Sequence, residues 1–221
     1  MKNTLLVIIG ILAIQLSPLQ AEELGSELES PLNDIVHAYK AILSYEDTGK
    51  VEVIYNRNGL VVGEEVRRFQ TQFKRGKSFE IRWKDVVTGY AGLEYVIWSS
   101  GNKVYSKYGN DEAFESPTIA KALSRATGIS TSLTAYIPCL LLQDTNCFLC
   151  SPDSLKITSS VSVPDSNLIH IAIDNSYGDI DEIWFDKASK LIKRIEWWTE
   201  DSAQRTYHRI TYENIKIKNK M

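Results

Sequence analysis

Residues 67–83 read RRFQTQFKRGKSFEIRW. Phe69, Thr71 and Phe73 alternate with Arg68, Gln70, Gln72 and Lys74. Arg75-Gly76-Lys77 interrupts the pattern, and Phe79, Ile81 and Trp83 then alternate with Glu80, Arg82 and Lys84. A period of two on both sides of a short Gly-containing break is the signature of two antiparallel strands joined by a tight turn. One face is apolar and aromatic and the other is polar, so the hairpin has one side to bury and one to leave in water.

The same period extends in both directions. Upstream, Val51, Val53 and Tyr55 lead to Asn58-Gly59, a strong two-residue hairpin signal. Before them, Asp47-Thr48-Gly49 reads as a turn that closes a helix. Asn33 or Asp34 would cap that helix, and Ile35, Val36, Tyr39, Ile42 and Leu43 form its apolar stripe. Downstream come Leu93, Tyr95 and Ile97, a turn at Ser100-Gly101-Asn102, and a strand over 104–108. Tyr95 and Trp98 are an odd number of positions apart and so face opposite ways on a regular strand.

The centre changes period. Ser116-Pro117 predicts a helix start, with Ile119, Ala120, Leu123 and Ala126 as its stripe and Gly128 as its end. Asp111, Glu112 and Glu115 would suit its positive end. A second helix is expected over 131–136, interrupted at Pro138, and residues 137–142 are apolar enough to be buried. Strand periodicity returns over 155–163, 168–173, 180–186, 191–198 and 205–217. The order is a helix, about five strands, a helical insertion at about 114–142, and about five strands. No repeat or linker divides residues 22–221, which read as one domain.

Ten antiparallel strands in one sheet must curl. The expected fold is mainly β, a single curved antiparallel sheet forming an incomplete barrel, with the helical insertion as a lid. Its concave side has to be filled by helices, side chains or a ligand. The candidate cavity wall is Phe69, Phe73, Phe79, Ile81, Trp83, Tyr95 and Ile97. Apolar surface buried there by a ligand is worth roughly 25 cal/mol per Å².

The chain of 221 residues opens MKNTLLVIIGILAIQLSPLQAEE. Lys2, an apolar run from Leu5 to Leu16, and the small Ala21 follow the order of a secretory signal peptide cleaved near Ala21. The run falls short of the roughly 20 residues a spanning helix needs. A monomeric protein exported to a bacterial periplasm is expected, with peripheral or transient membrane contact only. Loss of Lys2 moves the formal charge from −3 to −4. Such mild acidity gives no electrostatic reason to bind nucleic acid.

All three cysteines lie in PCLLLQDTNCFLC, residues 138–150. Cys147 and Cys150 are a candidate disulfide, while free thiols remain the alternative; the Ser151-Pro152-Asp153 that follows is not a redox helix. Catalytic signatures for nucleotide, metalloprotease or serine-hydrolase chemistry are absent, and neither a cofactor nor a metal is expected. His170 and His208 with Asp174 or Glu213 make a conceivable metal set, as do the three cysteines for zinc, but isolated sheet histidines and an unrepeated C-x-x-C are the plainer readings. Ser100 with Lys103 falls on a hairpin turn. Asp179, Asp181 and Glu182 read as a solvated cluster beside a turn, and Arg67, Arg68, Lys74, Arg75 and Lys77 as a basic hairpin.

DIVHAYKAILSYEDTGKVEV, RRFQTQFKRGKSFEIRW, YVIWSSGNKVYSKY and IAKALSRATGISTSLTAYIPCLLL together resemble the LolA-like periplasmic proteins, relatives of the outer-membrane lipoprotein carrier and sorting proteins. The resemblance implies an incomplete barrel with a helical lid over a hydrophobic cavity, and a lipid or acyl-chain ligand. The alternative is a non-enzymatic envelope scaffold that uses the curved sheet to hold a protein partner.

Overall fold

The computed structural model describes residues 31–86, 92–143, 149, 155–164, 166–174, 180–201 and 204–219. Helix α1, residues 31–41, runs directly into strand β1 (Ile42–Arg57). Five strands follow: β2 (Leu60–Lys74), β3 (Ser78–Asp85), β4 (Glu94–Ser100), β5 (Lys103–Tyr108) and the short β6 (Phe114–Ser116). Helix α2 (Ile119–Ala126), a 3-10 turn (Leu133–Ala135) and helix α3 (Ile137–Leu142) come next. The chain then returns through β7 (Lys156–Ser162), β8 (Leu168–Asp174), β9 (Ile180–Asp186), β10 (Ile192–Asp201) and β11 (Gln204–Asn219).

The eleven strands form one antiparallel sheet in the order β6-β5-β4-β3-β2-β1-β11-β10-β9-β8-β7. It stays open, with β6 and β7 as its two edges. The chain thus walks from the centre to one edge, leaves the sheet, and walks back from the other edge to close on β1 through β11. With strands about 4.8 Å apart, a flat sheet of this size would be about 48 Å wide. The connection from β6 to β7 must cross that span, which is why the helices lie over one face.

Side chains from that face and from all three helices make a single core. Val51, Val53, Phe69, Phe73, Phe79, Ile81, Trp83 and Ile97 are all buried in it, as the period of two requires. Leu123, Leu133, Leu140 and Leu141 seal it from the helical side, each contributing roughly 1.5–3 kcal/mol. The hairpin at Asn58-Gly59 forms with both residues at positive φ, 52° and 79°, matching the twist of its strands.

Several sequence expectations are overturned by packing. Asp47-Thr48-Gly49 makes no turn: β1 runs straight through it, because the Asp47 carboxylate finds partners inside the core. The sheet therefore has eleven strands, one of them the short β6 over a segment expected to be helical. Helix α1 is already formed at Pro31, so Asn33 and Asp34 do not cap it, and Asp34 instead pairs with Lys190 at 3.0 Å. Leu43, expected in the helical stripe, is exposed on β1.

Thr118, not Ser116, caps α2 by accepting from the Lys121 N–H at 3.1 Å. Its first turn holds no acid, and Glu115 pairs with Lys103 across β5 and β6. Pro138 begins α3 rather than interrupting a helix, since its missing N–H costs nothing in a first turn.

Candidate functional site

The lid segment is knitted by hydroxyls. Thr134 Oγ1 donates to the Leu123 carbonyl at 3.1 Å and lies 3.2 Å from Ser130 Oγ and 3.3 Å from Thr127 Oγ1. Thr131 and Ser132 follow each other at φ 52° and 61°. Left-handed backbone at a β-branched residue is costly and persists only where surrounding contacts hold it. Here the Arg67 guanidinium, rising from β2, donates to Thr131 Oγ1 while pairing with Glu65 and Asp85 at 2.6 Å each. A second tie joins Tyr136, at the start of α3, to β9: its hydroxyl donates to the buried Asp181 at 3.3 Å. The lid is thus fastened to both halves of the sheet.

Where the lid meets the β2–β3 and β4–β5 turns, a crevice of about 290 Å³ opens. Phe73, Phe79, Val104, Ile119 and Leu142 give it an apolar lining, and Lys74 and Lys77 stand at its rim. Neither lysine forms an ion pair among the described residues. The volume is at the lower end of the roughly 300–1,000 Å³ of small-molecule sites. A second opening, of about 410 Å³, has Arg68, Gln70, Arg82, Lys84, Glu94 and Glu213 around it and Phe69 and Trp83 in its lining.

The seven cavity-wall candidates do share the concave side, but they divide. Phe73 and Phe79 border the crevice. Phe69, Ile81, Trp83 and Ile97 are enclosed in the core, and Tyr95 is half-buried with its ring stacked 4.5 Å from that of Trp83. Val104, Ile119 and Leu142 were legible as apolar positions of a strand and two helices. Their meeting at one opening is a tertiary fact.

The core contains one carboxylate that sequence reading left in a turn. Asp47 accepts from the Tyr45 hydroxyl at 2.7 Å and from the Thr71 N–H at 3.0 Å. Burial pushes its pKa up to about 7. Tyr39 stands nearby on α1 and accepts from the Ile192 N–H at 3.2 Å, and the Tyr212 hydroxyl is buried with no hydrogen-bond partner among the described residues.

Asp181 is likewise buried, not solvated. The basic hairpin is also partly spent inside. Arg67 fastens the lid, and Arg75 donates to the Ile42 and Tyr39 carbonyls at 2.8 and 3.0 Å, capping the end of α1.

His170 and His208 do not meet, because β9 and β10 lie between their strands. His170 stacks on Trp184 on the convex face. His208 lies flat on Trp197 at 4.7 Å, with Nε2 3.1 Å from Thr199 Oγ1, and burial lowers its pKa to about 4. Among the described residues no three metal-ligating side chains cluster, and no helix is long and apolar enough to cross a membrane. Cys139 is a free thiol. The candidate disulfide of Cys147 and Cys150, and the leader with its expected cleavage near Ala21, lie outside the described residues.

No protein-family model matches the chain, and no curated protein matches it. Solved structures match most of the chain at low identity. One is a LolA superfamily protein from Nitrosomonas europaea, 10 % identical, the match covering 88 % of this chain and 94 % of that one with a TM-score of 0.34. Another is an uncharacterized conserved protein from Thermus thermophilus, 12 % identical over 87 % and 88 % of the two chains, TM-score 0.44. A third is the MucA/MucB complex of Pseudomonas aeruginosa, 10 % identical over 86 % of this chain and 57 % of that one, TM-score 0.41. The chain spans little more than half the length of that neighbour.

Proposed function

We propose that this chain is a binding or carrier protein of the bacterial periplasm that holds an acyl chain in the crevice beneath its lid. The observation that carries the reading is the apolar crevice of about 290 Å³ between Phe73, Phe79, Val104, Ile119 and Leu142. Its size suits one alkyl chain rather than several. Lys74 and Lys77 place uncommitted positive charge where the polar end of such a ligand would emerge. Release of the Arg67 contact to Thr131 would let the lid move away and widen the site. No covalent chemistry is needed.

The test is to purify the exported protein without detergent, record native mass spectra, extract bound species, and titrate the delipidated protein with 1-N-phenylnaphthylamine. Lipid in the extract and saturable probe uptake are expected. Ile119→Trp, which fills the opening from a half-buried position, is expected to weaken uptake about tenfold. Uptake unchanged by Ile119→Trp, or no uptake by the wild type, overturns the reading.

A second reading, docking of an envelope protein, has its own observation. Leu60, Val61 and Val62 are 71, 66 and 55 % exposed at the start of β2, where the strand has run past its ladder with β3, which ends at Arg67 and Asp85. Retention of an envelope protein by the wild type and its loss on Val61→Lys would favour this reading.

A further inference from the structure

We infer that the convex face carries a second binding site, at the tips of the β1–β2 and β10–β11 hairpins, for a neutral oligosaccharide. A cleft of about 520 Å³ lies there, bordered by Asn56, Asn58, Trp198, Glu200, Gln204 and Arg205. It is the reverse of the acyl crevice in every respect. Val51 and Val53 face the core, so Ile54 and Asn56 face the other way. The crevice sits at the opposite end of β2, by Phe73 and Ser78.

Strand register builds the cleft. Asn56, Arg205 and Glu200 stand in one row across β1, β11 and β10, and Ile54, Tyr207 and Trp198 in the next. The Asn58-Gly59 turn brings Asn58 to the end of the first row.

The charges in that row are unusual. Arg205 and Glu200 are directly opposed in the ladder, where opposite charges ordinarily attract and stabilise the pair. Yet neither forms an ion pair among the described residues. The guanidinium lies instead over the Trp198 indole, 4.2 Å from the ring centroid. Stacking uses the flat face of the guanidinium and leaves its in-plane N–H donors unspent. The indole is held in turn by Tyr207, 4.7 Å away between ring centroids. Beside Tyr207 stands the Arg209 guanidinium, 5.2 Å from its ring centroid and itself held by a hydrogen bond to Glu196. The donors of Arg205 therefore stand on a rigid aromatic support.

This lining selects a chemical class. Sites for apolar ligands are mostly apolar with a few polar groups, whereas here the Asn56 and Asn58 amides, the Glu200 carboxylate and the Arg205 guanidinium stand around one ring. Glu200 and Arg205 cancel, so the cleft draws neither a polyanion nor a cation. Amides, carboxylate and guanidinium together offer both donors and acceptors. Hydroxyl groups that each donate and accept match that set, and the C–H groups of a pyranose match the part of Trp198 left open beside Arg205 and Tyr207, the residue being 39 % exposed.

The test titrates the full mature chain with soluble cello-, malto-, xylo- and chito-hexasaccharides, reading amide and indole shifts by NMR. At least one series is expected to shift the Trp198 indole and the side-chain amides of Asn56 and Asn58. Trp198→Ala and Arg205→Ala should each weaken binding about tenfold. Arg205→Lys should not restore it, because an ammonium lacks the planar fork. Asn58→Ala, in an exposed turn, gives a variant whose fold is not at risk and should also weaken binding. Ile119→Trp should leave it unchanged, which separates this site from the acyl crevice. The inference is overturned if no series shifts these groups at millimolar concentration, if binding survives Trp198→Ala and Asn58→Ala, or if only an acidic polymer binds.

Discussion

The ring of Phe69 occupies the space that a side chain at Gly49 would need. A Cβ at Gly49 would overlap both Phe69 Cζ and the Thr211 carbonyl oxygen. Phe69 in turn meets Tyr212 edge-on at 5.4 Å, so three neighbouring strands share one aromatic contact over a residue without a side chain. Gly49→Ala is expected to destabilise the protein by about 3 kcal/mol or more, at the upper end of overpacking effects because the Thr211 backbone cannot yield. Urea denaturation measures it. Phe69→Leu in the Gly49→Ala background should recover only part of the loss.

Asp47 sets an alkaline limit to stability. Its carboxyl is raised in the folded state to about 7 from the ordinary 3.8. Folding therefore favours the protonated form. The associated stability is fully present below the unfolded value and is lost as pH rises through about 7. Asp47→Asn, which keeps an acceptor for the Thr71 N–H, should flatten the pH dependence between about pH 4 and 7 and raise the melting temperature above pH 7. The effect should be on the order of a few kcal/mol. A wild-type melting temperature that does not change over this range would refute it.

His208 works in the opposite direction. Its folded pKa is lowered to about 4 by burial against Trp197. Stability held above the unfolded value near 6.5 is lost as pH falls toward 4. His208→Gln should keep a partner for Thr199 and reduce the slope of melting temperature against pH on the acid side.

Arg67 links the lid to the sheet. Arg67→Ala removes the donor to Thr131 and leaves Glu65 and Asp85 without their cation. Amide exchange over 131–141 should accelerate, and naphthylamine probe uptake should become faster. Exchange that rises uniformly through the whole sheet would mean global destabilisation instead of lid release.

Arg75 holds α1. Arg75→Gln should expose the carbonyls of Tyr39 and Ile42 and speed amide exchange in residues 36–43 by about tenfold, a cost of about 1.4 kcal/mol in local opening. The β2–β3 ladder should keep its protection.

The sheet was legible because its signals are local. A period of two through Phe69, Thr71, Phe73, Phe79, Ile81 and Trp83 requires only neighbours on the same strand, and Asn58-Gly59 sets its hairpin by backbone sterics alone. The same local logic misread Asp47-Thr48-Gly49 as a turn. Those residues suit a turn in isolation, but the carboxylate is satisfied by Tyr45 and Thr71, and the glycine makes room for Phe69.

Sequence alone therefore determined the antiparallel hairpins, the apolar face and the helical interruption, since each is written in side-chain period and turn chemistry. Only the tertiary structure decided that β11 pairs with β1, that the helical connection crosses from one sheet edge to the other, and that Arg67 meets Thr131. These contacts join residues far apart in the chain. No local period encodes them, because they are selected by the burial of one shared core.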